Sequence, residues 1–256
     1  MLTAIDHLVI AVSNLEAATA DYRGLGFTVV PGGRHTGVGT YNALIAFADA
    51  SYIELIGFYE PRPDHRWWAP LQRGGGLVDF CLQTDDLVAD LQALRRAGVD
   101  IGDPEPRHRT RPDGVEVRWK FALARGPHRG VAPFIIADVT GRDTRVPAER
   151  SHANGVTGVG TVTVAVEDIG LVREWYSKML GRAGDEIRRP EIGGAGVRFP
   201  IGPHAFDFVA PVPGRGPLAD WLARRGPSPY AVSLKAGAGA PHPDLSRTHG
   251  VHIVWE

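Results

Sequence analysis

The chain has 256 residues, 43% of them hydrophobic and 22% charged, with a formal net charge of −1, the balance of a folded globular chain rather than a disordered one. Near-neutral charge gives no long-range pull toward nucleic acid or an anionic membrane, and no apolar run approaches the roughly 20 residues that span a bilayer. A single cysteine, Cys81, excludes an intrachain disulfide. The opening MLTAIDHLVIAV lacks a basic segment ahead of an apolar block and a small-residue cleavage site. The expectation is therefore no signal peptide and a cytoplasmic protein.

Ile5 to Val12 reads as a strand, and Ser13-Asn14 can cap a helix over Leu15 to Arg23, where Leu15, Ala18 and Tyr22 recur at helical spacing. Gly24 and Gly26 end it. Three strand-like runs follow, Phe27 to Val30, Tyr41 to Phe47 and Tyr52 to Phe58, giving the order βαβββ. Leu77 to Thr84 is again a strand, and Asp85-Asp86 cap a helix from Leu87 to Ala97 that Gly98 stops. A hairpin turns at Pro112-Asp113-Gly114, and strands over Val115 to Ala122 and Pro133 to Val139 complete a second module. The polar stretch 141–154 is a linker.

Beyond it the pattern returns. Gly160 to Ile169 aligns without a gap on Asp6 to Leu15, Tyr176 matches Tyr22, and Asp207 stands where Glu54 stood. Tyr230 to Lys235 and Val251 to Trp255 supply fragments of a fourth module, with no room for its helix. The fold expected is α+β, with paired βαβββ modules forming incomplete barrels, four modules in all and the last truncated. One pair occupies 1–140 and a shortened second pair 155–256.

Several residues stand out for chemistry. His7 lies mid-strand, where a histidine is commonly a hydrogen-bonded core residue. Glu54 sits inside the apolar run Tyr52-Ile53-Glu54-Leu55-Ile56, and an ionised carboxylate there needs a metal, an arginine or a raised pKa to compensate its burial. His35 falls in a Gly-rich turn, Gly32 to Thr40, whose glycines can let backbone approach a ligand; it is either an acid/base group or an exposed turn histidine. No GxGxxG opens a helix, so no nucleotide cofactor is expected. Arg107, Arg109 and Arg111 alternate onto one face before the hairpin turn, and Trp119 follows it. This bank clamps a carboxylate or phosphate, pairs with Glu54 and Asp79, or is simply a solvated basic face. Trp67, with Trp68 beside it, covers the core or closes a pocket mouth. There is no Ser/His/Asp signature, P-loop or HExxH.

The segments IDHLVIAVSNL, GGRHTGVGTYNALIAFADASYIELIG, GGGLVDFCLQTDDL, RHRTRPDGVEVRWKFA and APFII resemble the glyoxalase-like domain family of the vicinal oxygen chelate superfamily. That family is widespread in bacteria, and its superfamily includes glyoxalase I, extradiol dioxygenases, epimerases and drug-sequestering resistance proteins. The resemblance implies metal ligands on the first and last strands of each module, the positions of His7, Glu54 and Asp79. The fourth position, in Pro133-Phe134-Ile135-Ile136, has no ligand. Such a set suits Mn²⁺, Mg²⁺, Ni²⁺ or Zn²⁺ better than the two-histidine arrangement of Fe oxygenases, although Fe belongs to the superfamily's range. In the second pair Thr161 replaces His7, so that pair is read as structural.

The function implied is a metal-dependent lyase, isomerase or dioxygenase acting on a small oxygen-chelating substrate. His35 would move a proton, and the arginine bank with Trp119 and Trp67 would bind the substrate. The alternative is a protein that sequesters a small molecule without catalysis. Neither nucleic acid nor a membrane is expected as a partner; module-paired proteins of this kind often form homodimers.

Overall fold

In the computed structural model, residues 2–126, 130–214, 216–237, 240 and 242–256 are described. Strand β1 (Leu2–Ala11) is buried almost throughout because it has partners on both edges: β4 (Tyr52–Phe58), parallel, and β5 (Gly76–Thr84), antiparallel. Helix α1 (Leu15–Gly24) starts where the Asn14 side chain accepts the Ala17 N–H at 2.9 Å, and it buries Leu15, Ala18 and Tyr22. β2 (Val30–His35) and β3 (Thr40–Ala46) follow. After β4 and the short α2 (Trp68–Gln72), the pattern repeats as β5, α3 (Leu87–Arg96), β6 (Glu105–Thr110), β7 (Glu116–Leu123) and β8 (Phe134–Asp138).

These eight strands form one closed barrel, β1-β4-β3-β2-β6-β7-β8-β5, parallel at β1–β4 and β5–β8 and antiparallel elsewhere. The pairing of β2 with β6 shuts the ring. It also changes one expectation. The strand foreseen at Phe27 to Val30 begins only at Val30 and takes in Gly32-Gly33-Arg34-His35, which the sequence suggested was a turn. Gly33 has φ 121°, and a Cβ there would overlap the Thr110 carbonyl oxygen. Glycine is used here to bring two backbones together, not to approach a ligand.

The stretch foreseen as a linker contains a helical turn, α4 (Arg142–Arg145), and leads into a second sheet. Its strands are β9 (Val156–Ala165), β10 (Asp185–Arg189), β11 (Gly194–Ile201), β12 (His204–Pro211), β13 (Ser228–Ala236) and β14 (His252–Trp255), ordered β10-β11-β12-β9-β13-β14. Helix α5 (Ile169–Leu180) follows β9, and α6 (Pro217–Arg225) precedes β13. Asp168 caps α5 through the Leu171 N–H, and Thr163 pairs with Asp207 as Val9 pairs with Glu54.

The two halves share one core. Phe80 on β5 meets Phe206 on β12 with ring centroids 4.9 Å apart. The matched tyrosines tie the halves reciprocally: Tyr22 donates to the Thr248 carbonyl at 3.2 Å, and Tyr176 to that of Val131 at 2.5 Å. Among the described residues, no helix is long and apolar enough to cross a membrane.

Candidate functional site

The barrel encloses a cavity of about 290 Å³, small for a ligand pocket. Its apolar lining includes Leu44, Phe121, Phe134 and Ile136. Glu54, 6% exposed, also lines it, on a strand whose other face belongs to the core. Asn42, on the neighbouring β3, donates its Nδ2 to Glu54 Oε1 at 2.6 Å. Two imidazoles flank the carboxylate: His7 Nε2 lies 3.6 Å from Oε2, and His35 Nε2 lies 3.6 Å from Oε1. Both gaps are too long for direct hydrogen bonds. Among the described residues no arginine or lysine pairs with Glu54.

His7 is fixed from behind. Asp6, fully buried, takes its Nδ1 at 2.7 Å, which leaves Nε2 toward Glu54. The Tyr52 ring stacks on the imidazole with centroids 4.6 Å apart, and Phe134 packs against it at 5.2 Å. Burial opposes the charge of Asp6, but the Arg145 guanidinium and hydrogen bonds from His7 and Arg145 hold its carboxyl well below the usual range. Arg142 also pairs with Asp6, while Arg145 bonds Tyr52 Oη at 2.7 Å and pairs with Asp138. Both arginines come from α4.

His35 ends β2 opposite Arg109 of β6. Its Nδ1 lies 2.9 Å from Thr40 Oγ1, and burial pushes its pKa down to about 4, so it is neutral at physiological pH. Trp119 packs edge-on against it at 5.8 Å. Arg109, 3% exposed, donates to the carbonyls of Gly32 and Arg145, and burial lowers its pKa against the pull of Tyr52 and Glu54. Arg107 also lines the cavity, its guanidinium 4.8 Å over the Phe121 ring and paired with Glu105. Arg111 does not line it. It lies past the end of β6, paired with Asp113 and donating to the Thr144 carbonyl.

Asp79 is engaged by other partners. It pairs with Arg66, accepts Trp67 Nε1 at 2.6 Å and accepts the Phe80 N–H at 2.9 Å. His7 and Glu54 therefore supply two donors, Asp79 is already neutralised, and β8 offers Phe134 and Ile136. As they stand, these residues do not fit a divalent ion held by the protein. The metal-like grouping among the described residues is Asp6, His7 and Cys81, with donor atoms within 4.8 Å of one another. Two guanidiniums occupy Asp6, and burial pushes the Cys81 thiol up, so this group behaves as an ion-pair network.

Sequence reasoning did not single out Asn42, Tyr52, Arg66 or Arg145 for the site. The polar interruption of the β3 run at Asn42 was a usable signal. In the second sheet, Asp207 is closed off by Arg189 at 2.7 Å and by Arg198 at 2.7 and 2.9 Å.

A family model described as a glyoxalase-like domain matches residues 5–180, reaching into the second half. No match to a curated protein was found. Among solved structures, a hypothetical protein from Staphylococcus aureus is similar at 17% identity and TM-score 0.74, with 98% of each chain covered. A mutant 4-hydroxymandelate synthase from Streptomyces coelicolor aligns at 17% identity and TM-score 0.62, over 97% of this chain and 74% of that one. A methylmalonyl-CoA epimerase from Streptomyces coelicolor, in complex with 2-nitronate-propionyl-CoA, aligns at 26% identity and TM-score 0.44, over 55% of this chain and 100% of that one.

Proposed function

Because the chain belongs to the glyoxalase-like domain family of the vicinal oxygen chelate superfamily, we propose that its barrel pocket binds a small oxygen-bearing molecule and that Glu54 exchanges a proton with it. The class is a lyase or isomerase step at a carbon next to a carbonyl. One observation carries the reading: a buried carboxylate faces the cavity between two imidazoles, held by Asn42 and paired with no cation among the described residues. Glu54 takes the proton as the C–H bond breaks, and the electron pair moves to the carbonyl oxygen. His35, neutral because of its burial, offers that oxygen one N–H without bringing a full charge into the site. His7, oriented by Asp6, stands on the other side to hold or return the proton.

A divalent ion on His7, Glu54 and Asp79 is the rival arrangement, and it requires Arg66 and Trp67 to leave Asp79. No step above is routed through it. Binding without catalysis is the second reading, favoured by the aromatic walls formed by Trp67, Trp119, Phe121 and Phe134. Proton NMR in D₂O, with a panel of small carbonyl-bearing carbon acids, separates these readings. Proton transfer by Glu54 gives deuterium wash-in that Glu54→Gln slows by about 100-fold or more while ligand still binds. Saturable binding with no exchange by wild type supports sequestration instead.

A further inference from the structure

We propose that the ligand of this pocket is a monocarboxylate bearing a flat apolar group, and that Arg66 reads its carboxylate. This rests on the barrel pocket being the ligand site. Arg66 lies between β4 and α2, and its side chain is about one-third exposed, at 32%. Its guanidinium sits over the Phe134 ring at 4.8 Å and the Trp67 ring at 5.2 Å. Against such surfaces the charge is stabilised while the N–H edge stays free to meet a planar acceptor.

Asp79 is the only carboxylate partner of Arg66 among the described residues, and Asp79 also serves Trp67 and the Phe80 N–H. Asp79 and Trp67 therefore act as an anchor. The remaining N–H groups of Arg66 have no protein acceptor among the described residues. Arg66 lines the cavity, and a carboxylate matches the guanidinium fork with two parallel hydrogen bonds. Burial lowers the Arg66 pKa only to about 10, so the side chain keeps its charge at neutral pH.

Phe134 fixes where the rest of the ligand goes. Its ring packs against both the Arg66 guanidinium and the His7 imidazole, at 4.8 and 5.2 Å. A carboxylate on Arg66 thus lies one aromatic ring away from the His7–Glu54 pair, and the carbons beyond it run along Phe134 toward Glu54. Trp119 and Phe121 on β7 form an apolar wall of the same cavity, suited to a flat substituent. Arg109 adds a buried positive charge, with its N–H groups on carbonyls rather than on a carboxylate.

The test is calorimetric titration of benzoate, phenylacetate and cinnamate, each against its neutral amide. Wild type is expected to bind the acids at least about tenfold more tightly than the amides. Arg66→Gln should erase that preference without weakening the amides, and Arg66→Lys should keep part of it. Since Arg66→Gln leaves Asp79 unpaired, the double variant Arg66→Gln/Asp79→Asn serves as the folding control and should show the same loss. Equal affinity of acids and amides, unchanged acid affinity in both Arg66→Gln variants, or no saturable acid binding up to about 10 mM would each overturn the proposal. A wild type with no preference for acids over amides, but with Glu54-dependent deuterium exchange intact, sinks this inference alone. Acid binding through Arg66 with no exchange sinks the proton-transfer reading alone.

Discussion

Arg145 grips both carboxylate oxygens of Asp6, Nη1 on Oδ1 at 2.8 Å and Nη2 on Oδ2 at 2.9 Å, and Asp6 in turn holds His7. The guanidinium is 3% exposed and comes from the segment joining the two halves, not from a barrel strand. Orientation of the histidine on β1 therefore depends on a residue more than half the chain away. Tyr52 reinforces the same link, since it stacks on His7 and bonds Arg145.

Arg145→Gln is expected to cost about 3–5 kcal/mol in urea unfolding, because it strands a buried carboxylate. Arg142, 22% exposed, should cost less when replaced by Gln. Adding Asp6→Asn to Arg145→Gln should recover part of the loss, since the unpaired charge is then gone. A loss under about 1 kcal/mol for Arg145→Gln would mean that the network is not formed in solution.

Acid should weaken the fold through His35. Its pKa falls from 6.5 to about 4 on folding, so the unfolded chain binds more protons between those values. The contribution is fully present above pH 6.5 and is lost as pH drops toward 4, about 3 kcal/mol in all. Glu54, Arg109 and His7 face this imidazole, Glu54 favouring its charge and the other two opposing it. His65, also lowered to about 4 by burial, adds a separate slope. Stability curves of wild type and His35→Gln should therefore converge on acidification; parallel curves would show that His35 titrates normally.

Metal retention follows from Arg66. After loading with Mn²⁺, Ni²⁺ or Zn²⁺ and desalting, wild type should keep less than about a tenth of an equivalent, because Asp79 is already neutralised. Arg66→Ala removes the guanidinium that neutralises Asp79 and should raise retention. A full equivalent in wild type, lost in Glu54→Gln, would instead establish the three-ligand ion.

Much of this was legible in the sequence. Period-two strands and the caps at Asn14 and Asp86 follow the order read from the sequence. Glu54 stood out because a carboxylate in an oily strand must be compensated; the compensating group, Asn42, is uncharged and stands on another strand. Asp79 drew notice for the same reason, but its partner Arg66 lies in a loop where a charged residue looks solvated. Arg145 was hidden most deeply, since GRDTRVPAERSHANG has the composition of an exposed linker and only the closed barrel brings it to Asp6. Paired glycines suggest a turn at His35; pairing of β2 with β6 requires them for close approach instead.

The most direct measurement is a crystal structure with phenylacetate or another small carboxylic acid bound. The acid is expected inside the barrel, its carboxylate on Arg66 and its chain along Phe134, with a carbon beyond the carboxylate within about 3.5 Å of a Glu54 oxygen. Ligand bound elsewhere, or Glu54 turned away from the cavity and paired with an arginine, would contradict that placement.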